Sequence, residues 1–127
     1  MRLWSQQIIQ HLDRQRLLGQ HRECAALRGA GWGRPHATVN YVFTHSPSLL
    51  VAYHHLIMNE MERRGYHPDP IWRDPNYRGK VLGYDASWAN DYKQYLNGEI
   101  IYPEHNDEYL EECLNLLKEK GAPIDYE

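Results

Sequence analysis

Residues 13–33 read DRQRLLGQHRECAALRGAGWG, and this stretch sets the fold class that the rest of the chain supports. Asp13 is a favourable residue before a helix, and the glycines after Arg28 stop one, so the pattern predicts an α-helix over residues 14–28. At about 100° per residue, one side of this helix collects Leu17, Leu18, His21, Cys24 and Ala25. Glu23 lies well away from that side, and we expect it to face water or a groove.

Three further helices are predicted from the same combination of cap, apolar spacing and stop. They begin at Ser46, at Ser87 and at Asn106 or Asp107, and they end before Gly65, Gly98 and Gly121 respectively. HATVNYVF (36–43) is too irregular in its period for a strand, and the proline-rich residues 67–80 are typical of an ordered loop. We therefore expect a mainly α protein, a single compact domain over residues 1–127 with three to four helices and long aromatic-rich loops.

The charge is distributed unevenly along the chain. Residues 1–50 contain six arginines against Asp13 and Glu23, whereas residues 104–127 contain two lysines against eight acids, although the whole chain is only −3. A basic front favours an acidic partner, and the last segment, 104–127, is expected to form an acidic C-terminal helix.

Composition excludes several classes of protein. No apolar run approaches the roughly 20 residues that span a bilayer, and QQIIQH breaks any signal-peptide core, so we expect a cytoplasmic protein without membrane contact. Two cysteines are too few for a disulfide framework. No zinc-type spacing and no nucleotide-binding glycine pattern is present, so neither a metal nor a cofactor is expected. The histidines weighed as ligands are His36, His45, His54 and His55.

Five short segments carry a resemblance to a known family. They are MRLW (1–4), HREC (21–24), HATVNY (36–41), EMERRGY (60–66) and YKQYLNGEIIY (92–102). Their order and spacing resemble the pyrimidine-dimer DNA glycosylases, the phage endonuclease V type and its small bacterial relatives. The resemblance spans roughly residues 1–102, and the tail from Glu104 onward has no counterpart.

This resemblance implies a fold and an activity. Such enzymes are compact and α-helical, cut the glycosyl bond of the 5′ pyrimidine of a dimer, and then break the strand by lyase chemistry. By analogy, Met1 would supply the nucleophilic α-amino group and Glu23 the assisting carboxylate. The chain departs from the phage enzyme in one respect, because a bulky Arg2 would hinder removal of Met1, whereas the phage nucleophile is a small residue.

The implied partner is double-stranded DNA with damaged bases. Cationic side chains would neutralise phosphates, and aromatic side chains would serve as wedges or stacking partners when the lesion is opened. The cationic candidates are Arg2, His21, Arg22, Arg28 and Arg34, and the aromatic candidates are Trp32, Tyr92 and Tyr95. Glu23 would then lie among bases because the surrounding surface binds phosphate.

Two other functions remain open from the sequence. The first is a non-catalytic module that keeps the fold and binds distorted DNA or a protein, and the second is an unrelated enzyme that uses the histidine-rich loop. A Met1 nitrogen close to the Glu23 carboxylate, in an open basic cleft, would favour the glycosylase/lyase over the binding module.

Overall fold

The computed structural model describes residues 2–29 and 40–126, and it is mainly helical. The α-helices are α1 (Arg14–Arg28), α2 (Pro47–Arg63) and α3 (Asp107–Glu119). Short 3-10 helices cover Gln6–His11, Asn40–Thr44, Pro70–Arg73 and Asn90–Tyr95. Within those two ranges the only extended pairing is an isolated antiparallel bridge between Tyr77 and Tyr84. The expected mainly α fold is confirmed.

The helix starts follow the local cap chemistry. Ser46 Oγ accepts a hydrogen bond from the Ser48 amide at 3.2 Å, and Pro47 occupies the first turn of α2. Asn106 Oδ1 caps α3 by accepting from the Tyr109 amide at 2.9 Å. Asp13 precedes α1 as expected, but its side chain makes no capping bond.

The short helix expected within residues 87–97 is present, but its expected cap is wrong. It is a 3-10 helix, Asn90–Tyr95, and it follows Ala89 instead of Ser87. Ser87 has a φ of 65°, which is the left-handed region, whereas a capping residue needs an extended backbone.

α2 is the centre of the core. α1, the helix Gln6–His11 and the helix Asn90–Tyr95 all pack against it. Most of its residues are buried, because it is apolar over much of its circumference and is covered on several sides. Buried core side chains of α2 include Leu50, Ala52, Tyr53, Ile57 and Met61.

The segment before α1 is part of this core. Leu3 and Ser5 are fully buried and Trp4 nearly so. His105, just before α3, is buried beside this segment: its Nδ1 accepts from the Gln6 amide at 3.2 Å. The chain's first described residues are therefore held between α1, α2 and the α3 region.

Neither cysteine is paired, and both Cys24 and Cys113 are buried. Among the helices of the two described ranges, none combines the length and apolar character that crossing a bilayer requires. Met1, Trp32, Arg34 and His36, which the sequence singled out, lie outside the described residues.

Candidate active site

A cleft of about 430 Å³ opens between the first residues of the chain, α1 and the end of α3. Its lining comprises Arg2, Trp4, Gln15, Arg16, Gly19, Gln20, Arg22, Glu23, Leu116 and Lys120. The α1 members recur at three- and four-residue intervals, so they form one face of that helix. This face is distinct from the apolar side that packs on α2, as the helical wheel predicted.

Glu23 is the acidic side chain of this lining. Its residue is half-buried, yet Oε2 is buried and has no hydrogen-bond partner within the described part of the chain. A buried carboxylate oxygen without a donor is costly to a fold, because the solvation that it loses is not replaced. Because Glu23 also lines the cleft, a turn of its side chain would bring this acceptor to a ligand or a reacting group.

Cations surround this carboxylate. Arg2, Arg16, Arg22 and Lys120 all line the same cleft, against the single charge of Glu23. Arg16 also pairs with Asp13, with 3.3 Å between Nη1 and Oδ2, and Arg22 is exposed. The cleft therefore carries a positive excess, which is the charge that a phosphate backbone requires.

The segment leading to the chain's N-terminus is fixed to α1 by Gln20. Gln20 is 2% exposed; its Nε2 donates to the Arg2 carbonyl at 2.9 Å, and its Oε1 accepts from the Trp4 amide at 2.7 Å. The Tyr53 hydroxyl donates to the Trp4 carbonyl at 2.6 Å and lies 3.0 Å from Gln20 Oε1. Because Gln20 and Glu23 are three residues apart on α1, this attachment places Arg2 at the cleft that contains Glu23.

α3 closes the other side of this segment. Arg2 Nη1 lies 3.0 Å from Glu112 Oε2, and its guanidinium carbon is 5.5 Å from the centre of the Tyr109 ring. The Tyr109 hydroxyl donates to the Leu3 carbonyl. The acidic C-terminal helix thus supplies Glu112 as the counterion of Arg2, a side chain that the sequence predicted to bind phosphate.

Arg28 does not belong to this site. The sequence placed it among the DNA contacts, but its side chain is fully buried and donates to the carbonyls of Trp72, Asp74 and Tyr77, at 2.6–3.1 Å. Burial lowers its pKa to about 10. Arg28 is therefore a structural residue that gathers the loop after α2 onto the end of α1, and it is not available to a phosphate.

His21 also turns away from the cleft. Arg28 Nη1 lies 3.2 Å from His54 Nδ1, and because arginine only donates, His54 Nε2 carries the proton towards His21 Nδ1 at 2.8 Å. Burial lowers the pKa of His21, with a further contribution from Arg22, and burial lowers that of His54 well below its usual value. Both rings are thus neutral at pH 7, and His21 does not supply the positive charge that a phosphate contact was expected to use.

The aromatic candidates Tyr92 and Tyr95 lie on the 3-10 helix that packs on α2. The Tyr92 ring centre is 4.6 Å from that of His55, and neither tyrosine lines the cleft as the described residues define it. A stacking role for them with DNA stays a prediction. So does the catalytic role of Met1 and the DNA contacts of Trp32 and Arg34.

Sequence reasoning missed Gln20, Glu112 and Lys120 as members of this site. Gln20 carried one usable signal, since it precedes Glu23 by three residues and so shares its face of α1. Glu112 and Lys120 carried none, because their position depends on how α3 docks. Within residues 2–29 and 40–126, no group of three or more His, Cys, Asp or Glu side chains is arranged to hold a metal ion.

The class of protein follows from a comparison with known protein families. Residues 1–74, more than half of the chain, match a model of a family of DNA glycosylases, whose description is pyrimidine dimer DNA glycosylase. The chain belongs to the pyrimidine dimer DNA glycosylase family. The match contains the opening segment, α1 with Glu23, and α2. No curated protein and no solved structure matches the chain with significant similarity.

Proposed function

We propose that this protein is a DNA repair glycosylase with abasic-site lyase activity, acting on pyrimidine dimers or related damaged bases in double-stranded DNA. The family supports the substrate class. The observation that carries the proposal is the unpartnered, buried Oε2 of Glu23 in a cationic cleft that the first residues of the chain also line.

The nucleophile in this proposal is the α-amino group of Met1. An α-amino group has a reference pKa of about 7.7–8.0, more than two units below that of lysine, so a useful fraction is unprotonated at neutral pH. Arg2 lines the cleft, and a residue joined to it by a trans peptide has its Cα about 3.8 Å from that of Arg2. This supports an amine near Glu23 without requiring a buried lysine.

In the first step the amine nitrogen attacks C1′ of the 5′ pyrimidine's deoxyribose, and the bond from C1′ to the base breaks with its electron pair leaving on the base. The nitrogen then gives up one of its two protons, the C1′–O4′ bond breaks as the sugar ring opens, and a protonated Schiff base forms at C1′. The released proton and one from water protonate O4′ and the departing base. Glu23 stabilises the positive charge that develops on the sugar. Arg22 and Arg2 hold the flanking phosphates.

In the second step Glu23 accepts a proton from C2′, and the bond from C3′ to its oxygen breaks by β-elimination. The 3′ phosphate leaves with that electron pair, and water then hydrolyses the Schiff base to release the amine. A single carboxylate suffices for both steps, because its two roles occur one after the other.

Borohydride trapping tests this mechanism. The protein is mixed with a duplex carrying one cyclobutane thymine dimer, or one plain abasic site, and borohydride reduces any Schiff base to a stable adduct. We expect an adduct on both duplexes, mapped by mass spectrometry to the Met1 amine, and at least a 100-fold lower rate on the dimer in Glu23→Gln. Glu99→Gln, which removes the same charge from an exposed site, is the matched control.

Each outcome has a distinct meaning. An adduct on the abasic duplex alone, with none on the dimer, would refute the glycosylase half and leave a lyase. No adduct on either duplex from folded protein would refute the enzyme and favour a DNA-binding module on the same fold.

A further inference from the structure

Gln20 is buried and polar in a position where an apolar side chain would ordinarily stabilise a core. It is 2% exposed on α1 and faces the segment before that helix. Burying an amide costs free energy unless its donor and acceptor groups are both satisfied. In Gln20 both are satisfied, and every partner is either the backbone of residues 2 and 4 or the Tyr53 hydroxyl.

The chemistry of this contact requires an amide. One side chain donates to the Arg2 carbonyl and, from its other end, accepts from the Trp4 amide. Glutamine has a donor and an acceptor that are both uncharged at every ordinary pH, whereas an ionised glutamate of the same reach would only accept and a charged lysine would only donate. The two bonds hold alternate residues of an extended segment, so Leu3 between them points into the core, where it is fully buried.

The location of the contact has a consequence for the chemistry. Gln20 binds the backbone carbonyl of Arg2, the neighbour of the residue that would supply the amine. It does so one helical turn from Glu23, on the same face of α1. A reacting amine must be held near the atom it attacks, because orientation contributes much of an intramolecular rate advantage. A loose terminus would lose that orientation while keeping the cationic side chains that bind DNA.

We propose that Gln20 is a positioning residue for the reacting amine, because it holds the backbone of residues 2 and 4 on α1, at the cleft that Glu23 also lines. This inference rests on the proposed function, and it assigns a role in that reaction to a residue that touches neither DNA nor the reacting atoms. It predicts a loss of reaction rate without a loss of DNA affinity.

Two variants separate the two ends of the amide. Gln20→Met has nearly the same shape but neither the donor nor the acceptor, so it releases both residues 2 and 4. Gln20→Glu keeps an acceptor for the Trp4 amide and, once its carboxyl is ionised, has no donor for the Arg2 carbonyl. It is therefore measured below and above the pKa of that carboxyl, because burial favours the protonated form, which can still donate. Ile57→Val is the control for stability, because it removes one buried methyl group from α2 and no polar contact.

The experiment compares single-turnover borohydride trapping on an abasic duplex, at saturating protein, with the Kd for the same duplex from fluorescence anisotropy. All variants are measured at a temperature at which circular dichroism reports them fully folded. We expect Gln20→Met to trap at least tenfold more slowly than the unmodified protein, with Kd changed by less than about twofold. Ile57→Val should trap at the unmodified rate.

Gln20→Glu with its carboxyl ionised should also trap at least tenfold more slowly than the unmodified protein at the same pH, since the bond to Arg2 is the one nearer the amine. It decides the matter if Gln20→Met does not fold. Trapping at the unmodified rate by folded Gln20→Met, or by Gln20→Glu in its ionised form, would overturn the positioning role while leaving the proposed function intact. A rate that falls only in proportion to a weaker Kd would also overturn it. Absence of trapping by the unmodified protein would instead refute the proposed function itself.

Discussion

Replacing Arg28 by methionine should destabilise this protein severely without acting on DNA binding directly. The guanidinium is fully buried and donates to three backbone carbonyls, those of Trp72, Asp74 and Tyr77. Methionine has a similar length but no donor, so the carbonyls of Trp72 and Tyr77 lose their partner, whereas the Asp74 carbonyl keeps the Tyr77 amide at 3.3 Å. Arg28 also lies with its guanidinium carbon 5.1 Å from the centre of the Trp72 ring, and this attraction would be lost as well.

The magnitude follows from the carbonyls. A buried polar group without a partner costs about 1–3 kcal/mol, so two would cost between about 2 and 6 kcal/mol. One effect reduces this figure, because the variant no longer has to bury a charge. We expect a loss of about 2–4 kcal/mol, a large part of the roughly 5–15 kcal/mol that stabilises a domain.

Equilibrium unfolding in urea, followed by tryptophan fluorescence, measures this loss. Arg22→Met is the matched control on the same helix, because Arg22 is exposed and lines the cleft. It should change the free energy of unfolding by less than about 0.5 kcal/mol while weakening DNA binding. A loss below about 1 kcal/mol in Arg28→Met, or weaker DNA binding by that variant at unchanged stability, would refute the structural role of Arg28.

Two further predictions concern the acidic side of the molecule. Burial lowers the pKa of His105 from 6.5 to about 4, so the unfolded chain binds the additional proton between these values, and stability present above pH 6.5 is lost as the pH falls towards 4. His105→Asn keeps an acceptor for the Gln6 amide but does not titrate. The difference in unfolding free energy between this variant and the unmodified protein, measured in urea, should therefore shrink by about 3 kcal/mol as the pH falls from 6.5 to 4. A difference that stays constant would contradict this. Glu112→Gln frees Arg2 from its counterion and should tighten binding to undamaged duplex roughly 2- to 10-fold at low salt, with a steeper salt dependence by anisotropy. Glu111→Gln on the same helix should have the smaller effect, and equal effects would show that only the overall charge matters.

Features that depend on neighbouring residues were predictable from the sequence. The caps Ser46 and Asn106 and the face of α1 that carries Glu23 all follow from residues within one or two turns. The start expected at Ser87 was wrong because a cap residue was present in a backbone conformation that the surrounding loop imposes. Local signals of this kind are reliable only when tertiary structure does not override them.

Features that depend on distant residues were not predictable. Arg22 and Arg28 lie on the same helix and looked alike as DNA contacts, but Arg28 meets carbonyls more than 40 residues later in the chain and becomes buried. Gln20 likewise acquires its role from Arg2 and Trp4, 18 and 16 residues earlier. The charge of each side chain could be read from the sequence, but the direction in which the side chain points could be known only from the fold.

The position of α3 beside the cleft also affects how the protein meets DNA before any contact forms. α1 contains four arginines and one glutamate, whereas α3 contains five carboxylates and one lysine, so charges of opposite sign lie on either side of the cleft. This separation is an electric dipole, and the field of a duplex exerts a torque on it that turns α1 forward and α3 away. If α3 faces the duplex as the two molecules approach, this torque rotates the protein until α1 faces it. The torque acts when the two are within a few Debye lengths of each other, and one Debye length is about 8 Å at physiological salt. The acidic helix that weakens attraction overall would in this way raise the fraction of encounters in which Glu23 faces the strand.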